Sequence, residues 1–147
     1  YKIIKSLVSK EFPVMGHIGY TPQFKKSFKI EGETKIKAIQ LLKEAKLIEK
    51  AGAFSIVLEC IYPAAAKLIT SNLKMITIGI GSSSNCDGQI LVTDDMLGIS
   101  GFYPRFVKKY LNLDRIIEKA VKKYTREVKI KKFPISKNFL YGRKFRK

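Results

Sequence analysis

The run Phe54-Ser55-Ile56-Val57-Leu58-Glu59-Cys60 constrains this chain more than any other stretch. It is mostly apolar and too short for a stable helix. Turn signals bracket it, Ala51-Gly52-Ala53 before and Pro63 after. A short apolar run between breakers reads as a strand buried on both faces, the kind found in parallel sheets, where helices cover both sides. Glu59 is out of keeping with such burial. A carboxylate at the C-terminal end of a parallel strand stands where α/β folds place their chemistry.

The rest of the chain reads as walls around that point. Residues 2 to 10 look like the end of a helix, with Ile3, Ile4, Leu7 and Val8 on one face. Phe12 to Met15 reads as a short apolar strand. Gly16 to Gln23 reads as a loop, in which Gly16 and Gly19 permit tight turning or close approach of a ligand. Thr34 is the N-cap of a helix whose period runs through Ala38, Ile39, Leu42, Ala45 and Ile48 and stops near Gly52. Pro63 opens a helix through Ala64, Ala65, Ala66, Leu68 and Ile69. Met75 to Ile80 is a further strand, Gly81 to Gly88 a polar loop, and Gln89 to Val92 a fourth strand. Pro104 starts a long helix with Phe106, Tyr110, Leu113, Ile117, Ala120, Tyr124 and Val128 on its buried side. Strands alternating with helices imply right-handed crossovers and a parallel sheet. Four such strands suit half of a (β/α)8 barrel or a small open α/β sheet. The step from third to fourth strand requires its loop to cross the sheet edge or to hide a short helix.

Charge is the one compositional feature that bears on partners. The net charge is +17, and residues 101 to 147 hold 16 Lys+Arg against 3 Asp+Glu. Such a surplus suits, as an alternative reading, a polyanion- or nucleic-acid-binding module derived from a degenerate enzyme. Lysines also crowd every other helix, and no zinc-finger spacing or RNA-binding aromatic signature accompanies them. We therefore read the charge as solvated helix faces and expect no nucleic-acid partner. The longest apolar runs fall well short of the roughly 20 residues that span a bilayer, so no membrane role is expected. Cys60 and Cys86 form no CxxC, which suits a reducing, cytoplasmic compartment. The first residue is Tyr1 rather than Met, so the chain is expected to be part of a longer product.

Three polar clusters fall at predicted strand ends: Gly16-His17, Glu59, and the loop from Gly79 to Gly88. In a parallel sheet such ends converge on one rim. The bland reading of His17 is a hydrogen-bonded structural histidine, and that of Glu59 a buried salt bridge to a lysine. The glycine-rich loop is neither a P-loop nor a dinucleotide fingerprint, and a tight turn is the better reading. Asp94 and Asp95 are a possible metal pair, but a cap or solvated turn explains them better.

Several stretches together resemble one family. Pro13-Val14-Met15-Gly16-His17-Ile18-Gly19-Tyr20-Thr21-Pro22-Gln23 is similar to the "PVxGHxGLTPQ" stretch of the ketopantoate hydroxymethyltransferases. Val57-Leu58-Glu59-Cys60 resembles their "VLEC" strand. Thr77 to Gly81 and Cys86 to Val92 resemble "TIGIGAGxxCDGQxLV", and Pro104 to Tyr110 resembles the start of their C-terminal helix. The resemblance implies α/β architecture and the C-terminal half, strands five to eight, of a TIM barrel. Residues 1–130 would be that half and residues 131–147 a basic tail.

The implied activity is hydroxymethyl transfer from 5,10-methylenetetrahydrofolate to 3-methyl-2-oxobutanoate, giving 2-dehydropantoate in pantothenate biosynthesis. Glu59 would be the general base, with His17 and Gly81 in the substrate pocket. Mg²⁺ would bind the keto acid through ligands upstream of Tyr1, with none in this chain. A complete protein would be a homo-oligomer acting on small molecules, and this chain alone would be inactive. The chain departs from the pattern in four places. They are Phe24-Lys25-Lys26-Ser27-Phe28, the proline placed at Pro63, Ser82-Ser83, and Ile135-Ser136-Lys137-Asn138-Phe139.

Overall fold

The computed structural model describes residues 1–22 and 29–139. It divides into two compact units, Tyr1–Leu91 and Val92–Lys147. The first unit runs α1 (Lys2–Val8), β1 (Met15–Gly19), α2 (Lys35–Lys50), β2 (Ser55–Glu59), α3 (Pro63–Thr70), β3 (Ile76–Ile80) and β4 (Gly88–Gln89). All strand pairs are parallel and the sheet order is β1-β2-β3-β4. Each strand is laid beside the one before it, with no reversal. Barrel staves are added in that way, whereas a doubly wound sheet turns back at a switch point. The described part of the chain is therefore α/β, in a pattern consistent with a partial barrel.

Local chemistry explains the helices. The Thr34 hydroxyl accepts the Lys37 N–H at 3.3 Å, capping α2 as the sequence suggests. Pro63 occupies the first turn of α3, where its missing N–H costs nothing. The two helices bury Ala38, Leu41 and Ala45, and Ala65, Ala66 and Ile69, in one cluster with Ile18, Ile56 and Leu58 of the sheet. Small side chains let helix and sheet approach closely. At Gly16 an added Cβ would stand 2.4 Å from Ile48 Cγ2 of α2, so the helix seats on a strand without a side chain at that point.

Gly16 accounts for the first departure from the sequence reading. β1 spans Met15–Gly19 rather than Phe12 to Met15, so His17 lies within a strand and not in a loop. Its glycine serves packing rather than turning. β4 is only two residues long, extended by the Ile90 N–H donating to the Gly79 carbonyl at 3.0 Å. Gly88 pairs with Ile78, so the chain doubles back only a short way, and the 81–87 loop makes the parallel connection without a helix.

The second unit holds α4 (Thr93–Leu97), α5 (Leu113–Lys129) and a 3₁₀ turn, Ser136–Asn138. The long helix thus begins at Leu113 and not at Pro104. The Tyr110 N–H donates to the Met96 carbonyl and the Asp114 N–H to that of Gly98, so backbone groups needed to continue a helix are engaged elsewhere. The expected buried side of α5 is exposed, Ile117, Tyr124 and Val128 included. Gln23 and residues 24–28, and the basic tail beyond residue 139, lie outside the described residues.

Candidate active site

Side chains alternate across a strand. On β2, Ile56 and Leu58 face the helices with no exposure, so Val57 and Glu59 take the other face. On β1, Gly16 and Ile18 face the helices, leaving Met15 and His17 on that same opposite face. Register sets His17 beside Val57 and Gly19 beside Glu59, which places His17 diagonally across from Glu59. The imidazole Nε2 lies 3.1 Å from the carboxylate Oε2, with the side chains 34% and 19% exposed. The pair is thus sheltered yet reachable.

The strand ends are bound tightly here. The Tyr20 N–H donates to the Glu59 carbonyl at 2.9 Å. Gly19 has φ +97, and a Cβ there would stand 2.1 Å from the Glu59 carbonyl oxygen, so only glycine lets the two backbones pass. The face bearing the pair is less covered at its margins. Met15 is 48% and Ile76 54% exposed, a state that suits a surface completed by further chain. Glu59 pairs in register with Ile80, and Gly81, at φ +57, follows directly on that neighbouring strand. The structure therefore brings His17 and Glu59 into contact and sets Gly81 at the end of the next strand.

The 81–88 loop ties its polar groups to itself and to residues 61 and 77 outside it. Ser82 donates to the Ile61 carbonyl at 3.2 Å, the Ser83 hydroxyl accepts from Asn85, and Gln89 donates to the Ser83 carbonyl at 2.7 Å. One Asp87 oxygen accepts both the N–H and the hydroxyl of Thr77 at 2.8 Å. These two bonds hold the Asp87 carboxyl below the ordinary aspartate range. Sequence reasoning missed this anchor, because nothing local ties residue 87 to residue 77. Asp94 and Asp95 occupy the first turn of α4, and Asp95 accepts from the Ser100 hydroxyl, the role of a cap or turn. Among the described residues, no three or more of His, Cys, Asp and Glu form a group that could hold a metal. Both cysteines are free. Burial, and next the Glu59 carboxylate, push the Cys60 thiol up to about 11, so it stays protonated.

Residues 1–136 match the sequence profile of the family Ketopantoate hydroxymethyltransferase. Among curated relatives, a 3-methyl-2-oxobutanoate hydroxymethyltransferase of Francisella tularensis subsp. novicida is 54% identical over 136 residues, covering 90% of this chain and 51% of its own. The enzyme of that name from Clostridioides difficile is 50% identical over 141 residues, 93% of this chain and 51% of its own. The one from Pelagibacter ubique is 46% identical over 137 residues, 93% and 53%. The chain spans about half the length of the curated relatives it matches.

Proposed function

This chain belongs to the ketopantoate hydroxymethyltransferase family, and we propose that it carries the proton-abstracting side of a hydroxymethyl transfer to 3-methyl-2-oxobutanoate. The observation that supports this most is the His17–Glu59 pair, with Glu59 at the C-terminal end of β2 and His17 within the adjacent parallel strand β1. A proton beside a ketone is weakly acidic and needs a positioned base. Glu59 takes the proton from C3 of the keto acid, and the electron pair it leaves becomes the enolate. Water cleaves the methylene bridge of 5,10-methylenetetrahydrofolate, its oxygen going to the carbon as formaldehyde and its two protons to the two nitrogens released. The enolate carbon adds to that formaldehyde, whose oxygen takes the proton held by Glu59, and the product is 2-dehydropantoate. His17 holds one carboxylate oxygen through Nε2, which orients the other toward the substrate. Gly81, directly after the register partner of Glu59, leaves backbone accessible beside the pair.

Among the described residues no three or more of His, Cys, Asp and Glu come together, and this proposal places the ligands of the keto acid's Mg²⁺ upstream of Tyr1. The complete protein is a homo-oligomer of the cytoplasm with small-molecule substrates, and nucleic acid has no part in it. No described helix is long and apolar enough to cross a membrane.

Glu59→Gln keeps shape and removes basicity. In the complete protein it should fold normally and bind the keto acid. It should lose about 100-fold or more in proton exchange at C3, the usual scale for a general base. Deuterium wash-out from labelled 3-methyl-2-oxobutanoate, followed by NMR, measures this without folate. Exchange at close to the unsubstituted rate would make Glu59 a structural carboxylate.

A further inference from the structure

Cys60, next after Glu59, has φ +52, in the left-handed region that favours glycine. Among the described residues the other non-glycine cases are Glu11 and Lys131, both exposed and just past helix ends. Cys60 is different in kind, because it is 1% exposed and ends a central strand. Hydrogen bonds on both sides hold its conformation. Its N–H donates to the Ile80 carbonyl at 2.9 Å and its carbonyl accepts the Glu31 N–H at 2.9 Å. The Tyr62 N–H then returns to the Glu31 carbonyl at 2.8 Å, and Ile61 bridges Glu31. Strain held by its surroundings in this way is characteristic of functional positions.

The consequence shows in which residues join the core. Strict alternation would send Cys60 to the helix side with Ile56 and Leu58, and Ile61 to the face of Glu59. Instead Ile61 joins Ile56 and Leu58 in the helix-side cluster, and Cys60, though buried, does not. The left-handed residue shifts the alternation by one, as a bulge does. Gly19 makes room for this, since a Cβ there would stand 2.9 Å from Ile61 Cγ1. Glu59 is thereby the last side chain of the strand on its face, and the large Ile61 is turned away from it.

From these contacts we infer that Cys60 is a positioning residue, whose left-handed backbone rather than its thiol sets the Glu59 carboxylate against His17. This rests on the reading of Glu59 as the base. The test compares Cys60→Gly, Cys60→Ala and Cys60→Val with Glu59→Gln in the complete protein. Folding is checked by circular dichroism, C3 exchange is measured as above, and the ¹⁵N–¹H correlation of the His17 imidazole is recorded. In the complete protein that signal is assigned by its loss in a His17→Gln variant.

Glycine accepts positive φ, alanine tolerates it, and β-branched valine resists it. Cys60→Gly should keep the exchange rate and the His17 signal. Cys60→Val should lose about 100-fold in kcat with KM little changed, the scale of a misplaced catalytic group. Its His17 signal should move toward that of Glu59→Gln, and Cys60→Ala should fall between. A folded Cys60→Val with unaltered rate and His17 signal overturns the inference, as does a Cys60→Gly that falls as far as Cys60→Val. Where Cys60→Val does not fold, the order of the other two decides: alanine below glycine supports the inference, and alanine equal or above overturns it. If Glu59→Gln itself exchanges normally, the base assignment fails, while the His17 signals of the Cys60 variants still report positioning.

Discussion

α2 and α5 are nearly equal in length, 16 and 17 residues, and they meet opposite fates. α5 has the cleaner pattern. Leu113, Ile116, Ile117, Ala120, Val121, Tyr124 and Val128 form one stripe, with lysines, arginines and acids on the remaining face. Yet it buries none of these residues, whereas the more mixed α2 buries Ala38, Leu41 and Ala45. Periodicity defines a face but not a partner. α2 has a partner because Gly16 opens the β1 surface to Ile48 and its own alanines permit close seating. α5 is supported locally, by the exposed i,i+4 pairs Glu118–Lys122 and Glu127–Lys123. Pairs of this kind contribute only a few tenths of a kcal/mol each, about 0.3–0.5.

Truncation tests that contrast most severely. Leu41→Ala removes side-chain packing from the α2 core and should cost about 2–5 kcal/mol. Val121→Ala on the exposed face of α5 should stay within about 0.5 kcal/mol. Denaturant unfolding of this chain measures both, and comparable losses would mean that α5 is seated after all. The caps give a smaller contrast. Thr34→Ala removes the hydroxyl that accepts the Lys37 N–H and should cost about 1 kcal/mol. Asn112 makes no side-chain cap bond to α5, so Asn112→Ala should leave helicity and unfolding midpoint unchanged. A clear loss there would show a cap forming in solution.

The smallest effect concerns pH and the first unit alone. Asp87 is held below its ordinary value of 3.8 by bonds to Thr77. A depressed carboxyl adds stability that is present above its unfolded value and lost as pH falls through the folded one. Acid should therefore weaken the tie between the 81–88 loop and β3 only below about pH 4, and Asp87→Asn should flatten that part of the unfolding profile. Because Asp87 is exposed, the change should be modest. An identical acid profile in the variant would mean the Thr77 bonds carry no charge dependence.

Much of the first unit was legible because its signals are local. Val57-Leu58-Glu59 between breakers, Thr34 before a helical period and Pro63 at a helix start each act within a few residues, and each appears where the pattern put it. β1 was misplaced because Gly16 and Gly19 are ambiguous by themselves. A missing side chain serves a turn or a tight contact equally well, and only Ile48 on one side and the Glu59 carbonyl on the other decide between them. The start of α5 was misplaced for a related reason, since Pro104 permits a helix there while Met96 and Gly98 take up backbone donors further on.

By itself the sequence determined the parallel α/β order, the buried strand, and a carboxylate at that strand's end. Only the tertiary structure decided that His17 meets Glu59, that Asp87 anchors to Thr77, and that Cys60 turns Ile61 into the core. The physical reason is range. Propensity, capping and periodicity are settled by neighbours along the chain. Register between strands, and a left-handed residue that shifts alternation by one, are settled by hydrogen bonds and packing between residues far apart in sequence.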